Sequence, residues 1–305
     1  MTDSSGITLH VDGYELHITH PGKIMFPETG ITKMDLINYY LEMRSFIMFH
    51  NEGRPVVFVR YPHGLGSYSF FQKNLPPRAP EWMETLEAGK HKITRYFILN
   101  HIAGLIWLIQ MGTLEFHVMG TRKPHLWHPD LMVFDLDPPE GASFSEIRDF
   151  ALTFRSVIEE AGYRIYAKTS GKKGIHLVCP VKPQYETGQV LAAARDLAER
   201  MIARYPGATL DVRKEKRKGK FLIDIYRNRA FQTFSMPYGT RATPEAAVSM
   251  PLKWDELLRI NDPHVFNLRT VPEWVNKHGD AWKDIYQHAT GLHTYPGSEN
   301  PEKTV

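Results

Sequence analysis

Hydrophobic and polar positions alternate over short stretches through the first third of this chain and switch to helical spacing between later strands. Residues 7 to 18 place Ile7, Leu9 and Val11, then Tyr14, Leu16 and Ile18, at every second position around Asp12-Gly13, which predicts a β-hairpin. The segment His20 to Pro27 reads as a loop, after which Thr32 caps a helix carrying Leu36, Tyr39, Tyr40 and Met43. Arg54 to Arg60 is a buried strand followed by a turn at Gly64-Leu65-Gly66. The apolar window Tyr96 to Met111 reads as a buried helix, and Thr113 to Val118 as a strand with Glu115 and His117 on one face. A further strand, Leu131 to Asp137, stops at Pro138-Pro139. Ser143-x-x-Glu146 then starts a helix whose stripe is Phe144, Ile147, Ala151, Phe154 and Ile158. Tyr163 to Lys168 returns as a strand, Tyr185 to Tyr205 is a helix, Phe221 to Arg227 is a strand, and Trp254 to Ile260 is helical. Strands alternating with amphipathic helices make this an α/β (α+β) chain.

Composition narrows the possibilities only slightly. With 305 residues the chain can hold one large domain or two modest ones; 42% hydrophobic and 23% charged residues are ordinary for a soluble globular protein. A net charge of +3 means that an anionic partner must be met by local patches. Cys179 is the single cysteine, which excludes an internal disulfide and a cysteine-cluster metal site and fits a reducing cytosol. The first six residues have no secretory pattern, and the most apolar window is interrupted by Asn100, His101 and Gln110, so no membrane role is expected. From His293 onward the chain reads as a polar tail or linker, leaving 1–292 as the folded part.

The chemistry concentrates at two stretches. In a strand, Asp135 and Asp137 project to the same face while Phe134 and Leu136 enter the core. Two carboxylates that close repel, and a divalent cation with a taste for hard oxygen ligands removes the conflict. A solvated pair at a strand end is the bland alternative. The second stretch is Thr169-Ser170-Gly171-Lys172-Lys173-Gly174-Ile175-His176. Its glycines allow a tight turn, and its exposed N–H groups, Ser170 and lysines suit phosphate oxygens. A plain hairpin turn explains the glycines but not Ser, two Lys and His together. This is no Walker loop, because the Gly-Lys-Ser/Thr ending and following helix are missing. A third carboxylate, Asp224, sits among the apolar residues of Phe221 to Arg227 and is expensive there unless solvated, paired or on a metal. Arg227, Arg229 and Arg241 follow it closely. Of the adjacent aromatics Phe70 and Phe71, at most one fills the core; the other is a surface ring or a stacking platform for a base, backed by Lys73.

Asp135-x-Asp137, Ser170 through His176, and Asp224 on a later strand resemble, in this order, the three motifs of the archaeo-eukaryotic primase superfamily. The match is closer still to the polymerase domain of bacterial ATP-dependent DNA ligase D, through His-Pro-Gly-Lys-Ile-Met-Phe-Pro, Ser-Phe-Phe-Gln-Lys, Glu-Phe-His, Val-Phe-Asp-Leu-Asp-Pro and Thr-Ser-Gly-Lys-Lys-Gly-Ile-His. The resemblance spans about residues 8 to 290 and implies two interleaved α/β modules around one cleft, the C-terminal one an RNA-recognition-type (RRM-like) sheet. It also implies a DNA-directed nucleotidyltransferase in which Asp135, Asp137 and Asp224 hold two Mn²⁺ or Mg²⁺ ions. Ser170, Lys172, His176 and Arg241 would grip the triphosphate of an NTP or dNTP, with Arg227 near it and His117 on the nucleotide or its phosphates. Lys23 and Lys33 would bind the 5′-phosphate at a gap. Phe70 or Phe71 would stack on the template, and the basic loop with Lys216 and Arg217 would touch the template or incoming end. The implied substrates are DNA ends and gapped primer-template, ribonucleotides favoured, in double-strand-break repair by non-homologous end joining with Ku and a ligase, in the cytoplasm at the nucleoid. The chain has no Lys-x-Asp-Gly ligase nucleophile motif, so sealing must come from elsewhere. The alternatives are a primase acting de novo on single-stranded DNA and a non-catalytic nucleic-acid-binding module.

Overall fold

A computed structural model describes residues 6–89 and 93–293. Most of the proposed tail, from residue 294 onward, therefore lies outside the described residues. The N-terminal hairpin pairs Ile7–Val11 with Tyr14–Ile18, with Asp12 and Gly13 at positive φ in the turn. Within the segment expected to be loop, Ile24–Phe26 forms a short strand against Ile31–Thr32, and Met25 and Phe26 are fully buried. The helix Lys33–Glu42 starts where Thr32 accepts from Asp35 N and the Asp35 carboxylate answers the Thr32 N–H, a complete capping box.

Two six-stranded sheets carry the molecule. In the first, Thr113–Met119 pairs with Pro55–Arg60 on one side and with Thr233–Ser235 on the other. Thr94–Ile98, Thr85–Ala88 and the short Phe70–Gln72 complete that sheet. The window Tyr96 to Met111, expected as one helix, divides here. Its first residues lie in the Thr94–Ile98 strand, and only Ile102–Gln110 is helical. Asn100 and His101 lie between the two elements, and this helix packs against Lys33–Glu42 and the back of Thr113–Met119.

The second sheet runs in spatial order Ala208–Thr209, Phe221–Asp224, Leu131–Asp137, Ile175–Pro180, Tyr166–Thr169, Pro251–Leu252. Its four central strands and the helices Phe144–Glu160 and Thr187–Arg204 follow one another as β-α-β-β-α-β, with the strands neighbouring in the order fourth, first, third, second. That is the ferredoxin-like order expected of an RNA-recognition-type sheet. Both helices cover one face, where Phe134 meets Phe154 edge-on at 4.9 Å between centroids. Phe134, Leu136, Ile175, Leu177 and Ile223 are all fully buried. Alternation then forces their neighbours Asp135, Asp137, His176 and Asp224 to the opposite face. Thr233–Ser235 lies in the chain between Phe221–Asp224 and Pro251–Leu252 of the second sheet yet edges the first, so the two units interleave.

Candidate active site

The strand register assembles the site. Asp135 lies opposite His176 on one neighbour and opposite Asp224 on the other, and His176 in turn lies opposite Lys168. Lys168, His176, Asp135 and Asp224 thus form one row across four strands, with Asp137 one pleat further along. Asp224 ends its strand instead of lying mid-strand; Ile225 leaves the ladder and Tyr226–Asn228 forms a 3₁₀ turn. The turn swings Arg227 back over the row, its Nε 3.1 Å from Asp135 and its Nη2 3.2 Å from Asp224.

His176 Nε2 is 3.2 Å from Asp135 Oδ1, while its Nδ1 is buried without a hydrogen-bond partner. Burial, then the Lys168 charge, push the imidazole down to about 4. At neutral pH the ring is uncharged. Burial opposes ionisation of Asp135, yet His176 and Arg227 hold its carboxyl well below the usual range, the histidine through its ring N–H and the arginine through its charge. Asp137 goes the other way, raised to about 6 by burial and by the Asp135 charge. Asp224 is also raised, chiefly by burial. Lys168, fully buried, donates to the Ser235 and Ser249 hydroxyls, and its amine is driven well below its ordinary value by burial.

The wall facing this row belongs to the first sheet. Glu115, 3% exposed, sits 3.1 Å from Lys172, 3.4 Å from Arg241 and 3.2 Å from His117, and accepts a 2.9 Å hydrogen bond from Ala242 N. Ser170 Oγ accepts from Lys172 N at 3.2 Å and Gly174 N at 3.1 Å, which shapes the turn, and Arg241 Nη1 donates to Ser170 O. A side chain at Gly171 (φ +71°) would strike Arg241, and one at Gly174 would lie 2.5 Å from Leu136 O. The glycines are thus required by close packing as well as by the turn.

One cleft of about 570 Å³ unites these residues: Asp135, Asp137, Ser170, Lys172, His176, Arg227 and Arg241 all line it. His117 joins through Glu115 and by an edge-on contact, 6.2 Å between centroids, with Phe71. Phe71 is 53% exposed, whereas Phe70 is half-buried between Tyr68 and the Arg60 guanidinium. Lys73 is exposed beside them. The basic loop contains one helical turn, Lys214–Arg217; Arg217 lines a second cleft with Lys173 and Lys220, and its charge is felt at Asp137 and Asp224. Lys216 is exposed on that turn. Lys23 and Lys33 adjoin each other, but each donates to a main-chain carbonyl, of Pro62 and Thr19, and burial first, then Lys23, lower the Lys33 amine to about 8.

The donor set can be tested against a metal. Three carboxylates supply hard oxygens, and two are lifted in pKa by burial and mutual repulsion, a conflict that a divalent cation relieves. Among the described residues no three His, Cys, Asp or Glu side chains are gathered tightly enough to hold an ion, and Arg227 bridges two of the carboxylates. The residues fit hard divalent ions in kind, with Arg227 as the group that must yield. Glu115, Lys168 and the rim residues Glu245 and His264 escaped the reading of the sequence. For Glu115 the signal was present, since it shares a strand face with His117.

Comparison with known proteins follows the same lines. Residues 32–282 match the family model described as "LigD, primase-polymerase domain". The multifunctional non-homologous end joining protein LigD of Mycolicibacterium smegmatis is 33% identical over 96% of this chain and 40% of its own length. The bifunctional LigD of Bacillus subtilis is 32% identical over 90% of this chain and 44% of its own length. The chain thus spans less than half the length of these relatives. The solved polymerase domain of Mycobacterium tuberculosis ligase D, in complex with DNA, superposes with a TM-score of 0.82 at 29% identity, covering 90% of this chain and 99% of that one. No described helix is long and apolar enough to cross a membrane. The chain belongs to the LigD primase-polymerase domain family, whose members are DNA-directed nucleotidyltransferases.

Proposed function

We propose that this chain adds nucleotides, directed by a template, to the 3′ end of a DNA primer at gaps and broken ends, as part of end-joining repair. The observation carrying this reading is the row Asp224–Asp135–His176, two of whose members line one cleft together with Lys172 and Arg241, both paired with Glu115 as is His117. Carboxylates suited to a metal pair and cations suited to a triphosphate thus adjoin one another in one place.

Asp135, Asp137 and Asp224 would hold two divalent ions, Mn²⁺ or Mg²⁺, which supply charge neutralisation at the reacting phosphoryl group and a lowered pKa for the attacking hydroxyl. Everything else falls to the chain. Lys172 and Arg241 would present positive charge, and His117 a ring N–H, to the triphosphate once they turn away from Glu115. His176, uncharged, keeps a ring N–H on Asp135 and so fixes that carboxylate's orientation. Arg227, which pairs with Asp135 and Asp224, would give up those contacts to the ions and pair with phosphate oxygens instead. Lys23 and Lys33 offer a paired positive site for the 5′-phosphate across the gap, Phe71 a ring for the template, and Lys216 and Arg217 a basic loop for the DNA end. Ribonucleotide preference and partnership with Ku and a ligase are further parts of this reading that rest on the family.

The test is primer extension on gapped DNA, comparing Mn²⁺ with Mg²⁺, NTP with dNTP, and phosphorylated with unphosphorylated gaps. Metal-dependent extension stimulated by the 5′-phosphate is expected, lost in D135A and D137A proteins that still melt cooperatively. Extension that persists in both variants refutes the assignment. Synthesis of dinucleotides on single-stranded DNA without a primer would favour the primase reading.

A further inference from the structure

Lys173, in the turn that follows Ser170, lines two clefts. One is the catalytic cleft; the other, of about 510 Å³, is bordered by Pro138 and Pro139 and by the loop carrying Lys214, Arg217 and Lys220. Asp137 lines the first and Pro138, its neighbour in the chain, lines the second, so the two adjoin.

The charged lining of the second cleft is four cations and one exposed carboxylate, Glu140. Among the described residues none of Lys173, Lys214 and Lys220 is paired with a carboxylate. Arg217 donates through Nη2 to Val212 O at 2.9 Å, while its Nε is buried without a hydrogen-bond partner. A buried N–H left open in this way is expensive unless a ligand completes it. The loop also reverses sharply. Lys218 (φ +50°) and Gly219 (φ +73°) are both left-handed, and Lys220 N returns to Arg217 O at 3.0 Å. Lys216, exposed on the same helical turn, stays outside the lining, so the cleft is not the surface that Lys216 offers to a DNA end.

A cleft of this size and charge suits a small, multiply charged anion, whose oxygens can meet several cations at once. Nucleotidyl transfer makes one at every step. As the primer oxygen bonds to the α-phosphorus, the bond to the β-phosphate breaks, pyrophosphate leaves with its electrons, and the hydroxyl proton passes to water. Lys172 and Arg241, the cations given above to the triphosphate, are then left holding pyrophosphate, and Lys173 is the next cation along the chain.

We infer that the cleft lined by Lys173, Lys214, Arg217 and Lys220 is a pyrophosphate site, which takes the leaving group from the catalytic cleft and, with Glu140 in its lining, lets it go readily. Its role toward a leaving group rests on the proposed nucleotidyl-transfer reading; its affinity for pyrophosphate does not.

The experiment is equilibrium dialysis of radiolabelled pyrophosphate against the full chain in Mg²⁺ at one salt concentration. Wild type should bind one equivalent in each cleft. Lys214→Gln combined with Lys220→Gln should weaken one of the two about fivefold or more, the effect of losing two exposed ion contacts, and leave the other unchanged. Glu140→Gln should tighten the same equivalent about two- to threefold, a gain that a misfolded protein would not show. Gapped DNA, followed by fluorescence anisotropy, should bind all three proteins within about twofold. Pyrophosphate binding that is alike in the three proteins overturns the proposal. So does an equal loss on gapped DNA, which would give these lysines to the DNA backbone instead. Single-nucleotide gap filling separates the two readings. Wild type that fills no gap while the second equivalent persists sinks the polymerase reading and leaves the pyrophosphate site; gap filling by wild type that binds a single equivalent sinks the site alone.

Discussion

Replacing Glu115 by Gln should move fold stability and triphosphate affinity in opposite directions. The glutamine keeps the length of the side chain and its acceptor for Ala242 N, so the change is one of charge. In the protein as it stands, the carboxylate neutralises Arg241, 8% exposed, along with the half-exposed Lys172, and bonds the His117 ring. Removing one partner of a buried pair costs roughly 3–5 kcal/mol in full burial. Lys172 is accessible to water and contributes little, so about 2–3 kcal/mol is the expected loss. At about 2 °C per kcal/mol for a chain this long, Tm should fall by roughly 4–6 °C. The same three groups are then freed from a competing anion, and binding of a nucleoside triphosphate should tighten, about tenfold for a difference of roughly 1.4 kcal/mol. The pH dependence carries its own sign. Burial works against the charged form, but His117, Arg241 and Lys172 hold the Glu115 carboxyl well below its ordinary value. Its stabilisation is therefore complete above the unfolded carboxylate range and is lost as pH falls through and below it. The stability deficit of the variant should shrink steadily on acidification below about pH 4.5. Calorimetry across pH and titration with a non-hydrolysable triphosphate measure both arms. A variant that melts lower and also binds triphosphate more weakly refutes the idea that Glu115 is a placeholder for phosphate.

Other expectations follow from the same geometry. Lys168→Met removes a buried amine whose charged form burial disfavours, and the two serine hydroxyls it held lie 2.9 Å apart and bond to each other; stability should be unchanged or higher by about 1 kcal/mol, and a Tm drop beyond roughly 6 °C would show the amine to be a structural requirement. Asp280→Asn strips the charge from a buried carboxylate that bonds His50 at 2.7 Å, Tyr238 at 2.6 Å and Trp282 N at 2.9 Å; a loss of about 2–3 kcal/mol in urea unfolding is expected at pH 7. His50 and Tyr238 hold that carboxyl low against burial, so this difference should vanish as pH drops below the ordinary carboxylate range. Because burial brings the Lys33 amine to about 8, the benefit of a 5′-phosphate in gap binding should decline as pH rises from 7 to 9, and Lys33→Met should show neither the benefit nor the pH trend.

Much of this site could be read before any coordinates, because strand alternation alone puts Asp135 and Asp137 on one face and Phe134 and Leu136 on the other. Asp224 was legible as an anomaly, a carboxylate in apolar company, although its place at the end of the strand depends on where the backbone leaves the ladder at Ile225. The window from Tyr96 to Met111 was not legible as two elements. A continuous apolar run has no period that separates a buried strand from a buried helix, and the division lies at Asn100 and His101. Lys168 and Glu115 stayed hidden for a different reason. Their meaning lies in what faces them from another part of the chain, Ser249 for one and Arg241 for the other, and no local pattern encodes such a meeting.

The return of Thr233–Ser235 to the first sheet constrains how this catalyst can be handled. A cut anywhere between residues 120 and 232 would leave the amino-terminal piece with a naked sheet edge along Thr113–Met119, and such edges recruit foreign strands. Split-enzyme reporters divided within that span would have to re-form this main-chain ladder each time the two fragments meet. Because the chain crosses from one sheet to the other at this strand, the two units should be lost together on unfolding, as one cooperative transition.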